Sequence, residues 1–480
     1  MAIQNWASPR LVVAACCLFS TMVFVSCARA DAAISPHLLS SRRLNGMVTT
    51  DGRMGEMQWW ANFTSSITRP DEGEDSHWPE LQLNPRSVAA IILGGIGASL
   101  CTAAGLGGGG LFVPLFNLLL QFDSKTSAAL SNFMIVGGQS ITLLMNLART
   151  HPDHPGKPLI DFDAALLLQP NLLLGISVGV ILNFMFPNWI ITLLLILMLT
   201  YLTVNSYRSG VKRWNKESEQ LALSSRTAGT KTVAQSPNTS GGPSGSLREP
   251  LLDRHSTSRF PTKKILALAL VWLAFGAVQV LREGRGGQSK CGFGYWLLTA
   301  TQVPLALIVT YFVLKNQHSA DTSKNALQSA DDGFVLTPEA SSSFTKMSLL
   351  TGILGGMLGI GGAMIINPML MSAGMHPQVT AATSGFIVVF SASMSVVQYW
   401  IMGRVPVNWA LTAAALSALF SAVGILVVQR ILNKYGRASL IVFVVAFVIG
   451  ISAILMGSLG GLHVWQQFQS GAYMGFHSPC

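Results

Sequence analysis

Carboxylates are what this chain has least of. Asp and Glu together number 21 in 480 residues, and none follows Glu339. No acidic residue falls centrally in any long apolar run. Ionisable groups within a membrane usually mark proton relays and cation paths. Their absence argues against a carboxylate-based cation pathway and against an aspartyl intramembrane protease. Charge of either sign is scarce: 11% of residues, against about 25% in soluble domains. The six cysteines form neither a disulfide framework nor a metal-ligand spacing. Cys16, Cys17 and Cys27 fall in the N-terminal apolar segment and Cys101 within a span, which leaves only Cys291 and Cys480 as a conceivable pair.

What is present belongs in a bilayer. Half of the residues are hydrophobic and the mean hydropathy is +0.47. Several runs reach the ~20 apolar residues that cross the hydrocarbon core. The net charge of +10 comes mostly from loops between spans, where basic residues set orientation. It points to no nucleic acid and no acidic protein partner, and protein partners stay unidentified. Residues 1–30 read as a secretory signal, with Arg10, an apolar run from Leu11 to Val25 and Ala28-Arg29-Ala30 as a small-x-small cleavage site. An uncleaved anchor is the alternative. Either implies a multi-pass protein of the secretory pathway, in the plasma membrane or an endomembrane.

Beyond the signal, residues 31–87 are a polar extracytoplasmic segment with a glycosylation acceptor at Asn62. A first membrane block covers 88–207, with spans near 127–148, 162–186 and 188–207. A Ser/Thr/Gly/Pro-rich basic linker follows at 208–262, read as disordered. Two connecting spans fill 263–315 and a polar linker 316–344. The second block, 345–460, has spans near 346–371, 378–402, 406–428 and 436–459, and 461–480 is a tail.

Each block opens on a related, unusual segment. GLGGGGLFVPLF (Gly105–Phe116) recurs as GIGGAMIINPML (Gly359–Leu370), so that Gly105, Gly107, Gly108 and Pro114 match Gly359, Gly361, Gly362 and Pro368. Glycine and proline disfavour a continuous helix. Val88 to Gln121 as one helix would run ~50 Å, too long for a ~30 Å core. The glycines are therefore expected to break it, with Pro114 and Pro368 contributing to the breaks. Further on, TSAALSNF (Thr126–Phe133) aligns with TAATSGF (Thr380–Phe386) when one residue is gapped within it. Thr126, Ala128, Ser131 and Phe133 then face Thr380, Ala382, Ser384 and Phe386.

Charge counting favours re-entrant hairpins. If each broken segment crossed once, the linker with its eleven Lys/Arg from Arg208 to Lys264 would lie outside with the mature N-terminus, against the positive-inside tendency. If each returns to its own side, the linker and Arg430, Lys434 and Arg437 are cytoplasmic, and the blocks are inverted. The expected fold is an all-α polytopic membrane protein of two inverted repeats. Two glycine-broken segments in matching positions of two halves point to a transporter with a central site.

A broken helix presents backbone N–H groups and a positive dipole end, which suit an anion. The candidate substrate-binding residues are Gly105, Gly107, Gly108 and Gly109 with Gly359, Gly361 and Gly362. Thr126, Ser131, Asn132, Thr380, Thr383 and Ser384 are nearby donors. Tight helix packing by the glycines and hydrogen bonding by the hydroxyls to helix carbonyls are the competing roles. Arg149 and Arg404 are candidate vestibule charges or simple membrane anchors. Gln139 and Gln398 lie inside spans and either line the path or join helices. The His-x-x-His of His151 and His154 sits among prolines and argues for no metal; no catalytic constellation and no cofactor motif is found.

At GLGGGGLFVPLF, GGMLGIGGAMIINPML (355–370) and ATSGF (382–386) the chain resembles the sulfite exporter TauE/SafE family, in particular its plant members. HPDHPGKPLIDFDAALLLQPNLLLG (His151–Gly175) and KCGFGYW (Lys290–Trp296) look plant-like too. The resemblance spans roughly 85–460. It implies a carrier, not an enzyme, moving sulfite or a related sulfur-containing or organic anion by alternating access. A competing reading is a membrane scaffold or trafficking factor acting through the basic linker, where Arg248-Glu249-Pro250-Leu251-Leu252 loosely resembles a dileucine signal.

Overall fold

A computed structural model describes residues 85–147, 149–151, 157–233, 262–283, 292–323, 338–403, 405–435, 439–469 and 475. The N-terminal segment with Asn62, the stretch Arg248–Leu252, the cysteines Cys291 and Cys480, and Arg404 lie outside these residues. The described residues contain helices and no named strand. In chain order they are α1 (Pro85–Ala103), α2 (Gly109–Leu119), α3 (Ser124–Leu147), α4 (Phe162–Met185) and α5 (Asn188–Val233). Next come α6 (Thr262–Glu283) and α7 (Phe293–Ser323). Then follow α8 (Pro338–Leu358), α9 (Ala363–Ser372), α10 (Pro377–Ile401), α11 (Val407–Tyr435), α12 (Ser439–Leu455) and α13 (Gly461–Gln469). Seven of them, α3 to α7 with α10 and α11, are long and apolar enough to cross a membrane.

Both long apolar segments break at their glycines. Gly105, Gly107 and Gly108 take φ of 68°, 80° and 94°, and Gly359, Gly361 and Gly362 take 70°, 70° and 78°. Left-handed backbone of this kind is routine only for glycine. At the end of α1 it closes a Schellman-type cap, with Leu106 N–H donating to Cys101 O at 2.9 Å and Gly105 N–H to Thr102 O at 3.0 Å. After the break α2 folds back along α1, so that a methyl group on Gly97 would strike Leu111 and one on Gly94 would touch Leu115. Pro114 and Pro368 sit inside α2 and α9. The prolines therefore do not break the chain; the positive-φ glycines before them do, and each proline only removes one hydrogen bond from a short helix.

The two blocks clasp each other through matching helices. α3 lies on α11, where Ser417 Oγ donates to Met134 O at 2.8 Å and Gly138 faces Ser417 and Ser421. α4 lies on α10, with Asp161 beside Thr383, Phe162 beside Phe386 and Phe184 beside Tyr399. α1 meets α11, with Thr102 Oγ1 donating to Ser421 Oγ at 3.1 Å. α8 meets α4 over a seam of glycines: Gly175 and Gly179 against Leu349 and Ile353, Gly352 and Gly356 against Leu172 and Ile176. Small residues let helix backbones approach closely, which is how helices associate without a hydrophobic drive in lipid.

Helix polarity follows from these pairs. α4 and α10 run parallel, from the 161–383 end to the 184–399 end. α3 runs against α4, because Lys125 at its start donates to Phe184 O at 3.1 Å. The corresponding helices α3 and α10 are therefore antiparallel. The linker reading needs one change. Helix α5 continues to Val233, well past 207, because its polar extension caps another helix: Glu217 accepts from Ser439 N at 3.0 Å and from Ser439 Oγ at 2.5 Å. That contact places the polar stretch of α5 around Glu217 beside the start of α12. α6 starts at the same end of the bundle as α4, where Lys264 Nζ pairs with Asp163 at 2.5 Å.

Candidate functional site

The two breaks meet in the middle of the bundle, each turned against the other block. A Cβ on Gly105 would lie 2.5 Å from Ala381 O, and one on Gly359 2.5 Å from Ala128 O. Ser384 Oγ donates to Gly105 O at 3.1 Å, and Ser131 Oγ to Gly359 O at 2.7 Å. Gly107 and Gly361 both touch Ile135 and Val388, which lie between them. Gly109 packs directly on Ile360 and Gly359, leaving no room for any side chain.

This reciprocity corrects the alignment. Ala128 corresponds to Ala381, not Ala382, and Ser127 rather than Thr126 corresponds to Thr380: Ser127 Oγ and Thr380 Oγ1 donate to Phe122 O and Met375 O, each at 3.4 Å. The length difference lies in the preceding turn. Phe122 N–H reaches back to Phe116 O at 3.2 Å, whereas Met375 N–H reaches Leu370 O at 3.3 Å over one residue fewer. A turn absorbs one residue cheaply; inside a helix the same change would rotate every later side chain by about 100°.

The hydroxyls mostly hold the scaffold. Ser131 and Ser384 secure the break carbonyls, and Thr383 Oγ1 accepts from Asp161 N–H at 2.9 Å, tying α10 to the start of α4. Asn132 Nδ2 donates to Ala128 O at 3.0 Å within its own helix, while its buried Oδ1 has no partner among the described residues. Thr126 lies at the start of α3, where its N–H donates to Asp123 Oδ2 at 3.4 Å. Arg149 follows α3, half-buried, and burial holds its pKa below the usual arginine value; an arginine stays charged at neutral pH regardless. Nearby, burial raises the Asp161 carboxyl although it caps α4 through the N–H groups of Asp163 and Ala164. The ring of His151 lies 6.2 Å from that of His376.

One participant escaped the sequence reading. Asn367 Nδ2 donates to Gly105 O at 2.9 Å, so this carbonyl has two side-chain donors. The signal was an amide beside Pro368 in an apolar run. Among the described residues, Gly359 O has Ser131 as its side-chain donor and no second one. Ser131→Ala should therefore destabilise the protein by about 1–3 kcal/mol, the cost of a buried polar group left unpaired. Ser384→Ala should cost less than about 1 kcal/mol, because Asn367 remains. Thermal unfolding in detergent, run side by side, checks the order.

Comparison with known proteins places this geometry. The family model described as Sulfite exporter TauE/SafE matches residues 344–476, the second block. Sulfite exporter TauE/SafE family protein 2 of Arabidopsis thaliana is 38% identical over 87% of this chain and 92% of its own length. The chain belongs to the sulfite exporter TauE/SafE family. Family proteins 1 and 3 of the same plant are 38% and 32% identical over 85% and 90% of this chain, and over 91% of each relative. No solved structure matches the chain at a significant level. With its seven long apolar helices, this TauE/SafE protein is an integral multi-pass membrane protein. Both glycine breaks fall inside the stretch shared with its relatives, and the second falls inside the family model itself.

Proposed function

We propose that this protein is a secondary transporter of a small anion, sulfite or a related sulfur-containing or organic anion, working by alternating access in a membrane of the secretory pathway. One observation carries the reading: two positive-φ glycine turns, one from each block, pack against each other at the centre of the bundle. Each turn opens a short helix, α2 or α9, whose N-terminus has no side-chain cap. Such ends favour negative charge. The antiparallel course of α3 and α10 supports inverted repeats, and the backward fold of α2 along α1 supports re-entrant hairpins. In that arrangement the linker side is cytoplasmic.

Transport is tested by loading purified protein into liposomes and following radiolabelled sulfite. Wild type should carry it, and unlabelled sulfate or small sulfonates should compete if they share the site. Gly362→Ala should slow flux several-fold, since its φ of 78° and the Thr351 methyl 3.1 Å from the new Cβ would reshape the turn. A correctly folded protein that carries none of these anions would overturn the reading.

A further inference from the structure

The second break borders a narrow cleft between α8, α4 and α10. Gly361 and Gly362 line one wall, and Ser391 and Ser395 of α10 line another. The cleft is too narrow here to admit a water molecule. Ser391, Ser395 and Gln398 follow one another along a single face of α10, at helical spacings of four and three. Gln398 Nε2 donates to Ser177 Oγ of α4 at 3.1 Å, and Gln279 Nε2 of α6 donates to the same oxygen at 2.5 Å. All three side chains are at most 1% exposed, yet among the described residues the Oε1 atoms of both glutamines have no hydrogen-bond partner. One turn further along α6, Arg282 is buried and lies 5.1 Å from the centre of the Tyr295 ring. That end of α6 is opposite Lys264 and hence opposite the far end of α5.

The first block does not repeat the three positions, although α3 has buried polar groups of its own in Gln139 and Ser140. At the spacing that pairs Ser131 with Ser384, the partners of Ser391, Ser395 and Gln398 are Gly138, Thr142 and Met145. Gly138 is already filled against the hydroxyls of Ser417 and Ser421. Gln279 comes from α6, which lies between the blocks. Polar groups deep in lipid-embedded helices without full pairing tend to mark a path for solute; here Ser391 Oγ donates to Val388 O at 3.2 Å and both amide N–H groups to Ser177, donors that an anion could draw off, with no carboxylate among them.

We infer that Ser391, Ser395 and the Gln398–Ser177–Gln279 cluster form the half-pathway by which the anion moves between the second glycine break and the bundle face away from Lys264, with the two glutamine amides as its gate. This rests on the proposed transport function. In the closed form the two amide N–H groups are held by Ser177; an arriving anion draws them off and takes their hydrogen bonds. Arg282 marks the mouth and attracts negative charge.

Gln279→Leu and Gln398→Leu keep the side-chain volume and remove the donors. Each should lower radiolabelled sulfite flux in liposomes at least ten-fold while purifying with an unchanged size-exclusion profile. Flux within two-fold of wild type in both variants overturns the inference. A second measurement does not depend on sulfite. Ser395→Cys and Gln398→Cys, in oriented membrane vesicles, should react with a membrane-impermeant maleimide above the parent background only from the face away from Lys264. No reaction, or reaction from the other face alone, overturns it as well. Sided labelling with no anion flux in wild type would instead reject the transport function and leave a polar pathway standing.

Discussion

Gly105→Ala and Gly359→Ala should each leave no stably folded protein. The added methyl would lie 2.5 Å from a backbone oxygen, Ala381 O in one case and Ala128 O in the other. Real Cβ atoms do not approach so closely, and a backbone oxygen within a helix cannot turn aside as a side-chain tip can. The φ values of 68° and 70° add about 1–2 kcal/mol for any L-residue. Together the penalties should exceed about 4–5 kcal/mol, the range reserved for a few severe mechanisms and comparable to the whole stability of many domains. Expression followed by size-exclusion chromatography in detergent reads the result as loss of the monodisperse peak. Gly403→Ala is the control. Its φ is 69° but nothing lies within 4 Å of the new methyl, so it should cost only the backbone term and keep the peak. If Gly105→Ala behaves like Gly403→Ala, the contact between the breaks is not as described.

Gly179→Val, on the seam between α4 and α8, should be equally severe by another route. Gly179 has ordinary helical φ, so the backbone carries no strain; the damage comes from overlap with Ile353 O. Because Gly175, Gly352 and Gly356 form the same seam, the helices cannot part at one point without opening along their length. Gly276→Ala on α6 gives the contrast. Its new methyl would meet only Met394 Cε, at 3.9 Å. The exchange should be neutral or stabilise by up to about 1 kcal/mol, through helix propensity. Loss of the monodisperse peak for Gly179→Val, and a melting temperature at or above wild type for Gly276→Ala, decide the matter.

Most spans were legible from hydropathy, since residues 162–186 and 378–402 differ by only a residue or two from α4 and α10. The breaks were legible because 34 apolar residues exceed a bilayer and glycine marks where the chain can turn. The extension of α5 to Val233 was not. Apolar periodicity is the signal of a helix against lipid or a core, and a helix leaving the membrane needs none; its warrant is the Glu217–Ser439 contact, over two hundred residues away in the chain. The one-residue gap was misplaced because Thr126 and Thr380 look alike while Ser127, the true counterpart, does not match by letter. Gln398 could be picked out as polar within a span, but its partners Ser177 and Gln279 come from two other helices, and sequence spacing alone cannot bring three helices together.

The clasp between the blocks also bears on how the protein is made. α1 packs on α11 and α8 on α4, so neither block can complete its own interior. During synthesis α1 to α5 enter the membrane long before α8 to α11 exist. For that interval the glycine face of α4 and the turn at Gly105 stand open to lipid, with a carbonyl awaiting Ser384 and Asn367. It also follows that two polypeptides divided between Val233 and Thr262 should find one another when co-expressed, each supplying the surface that the other was built to wait for.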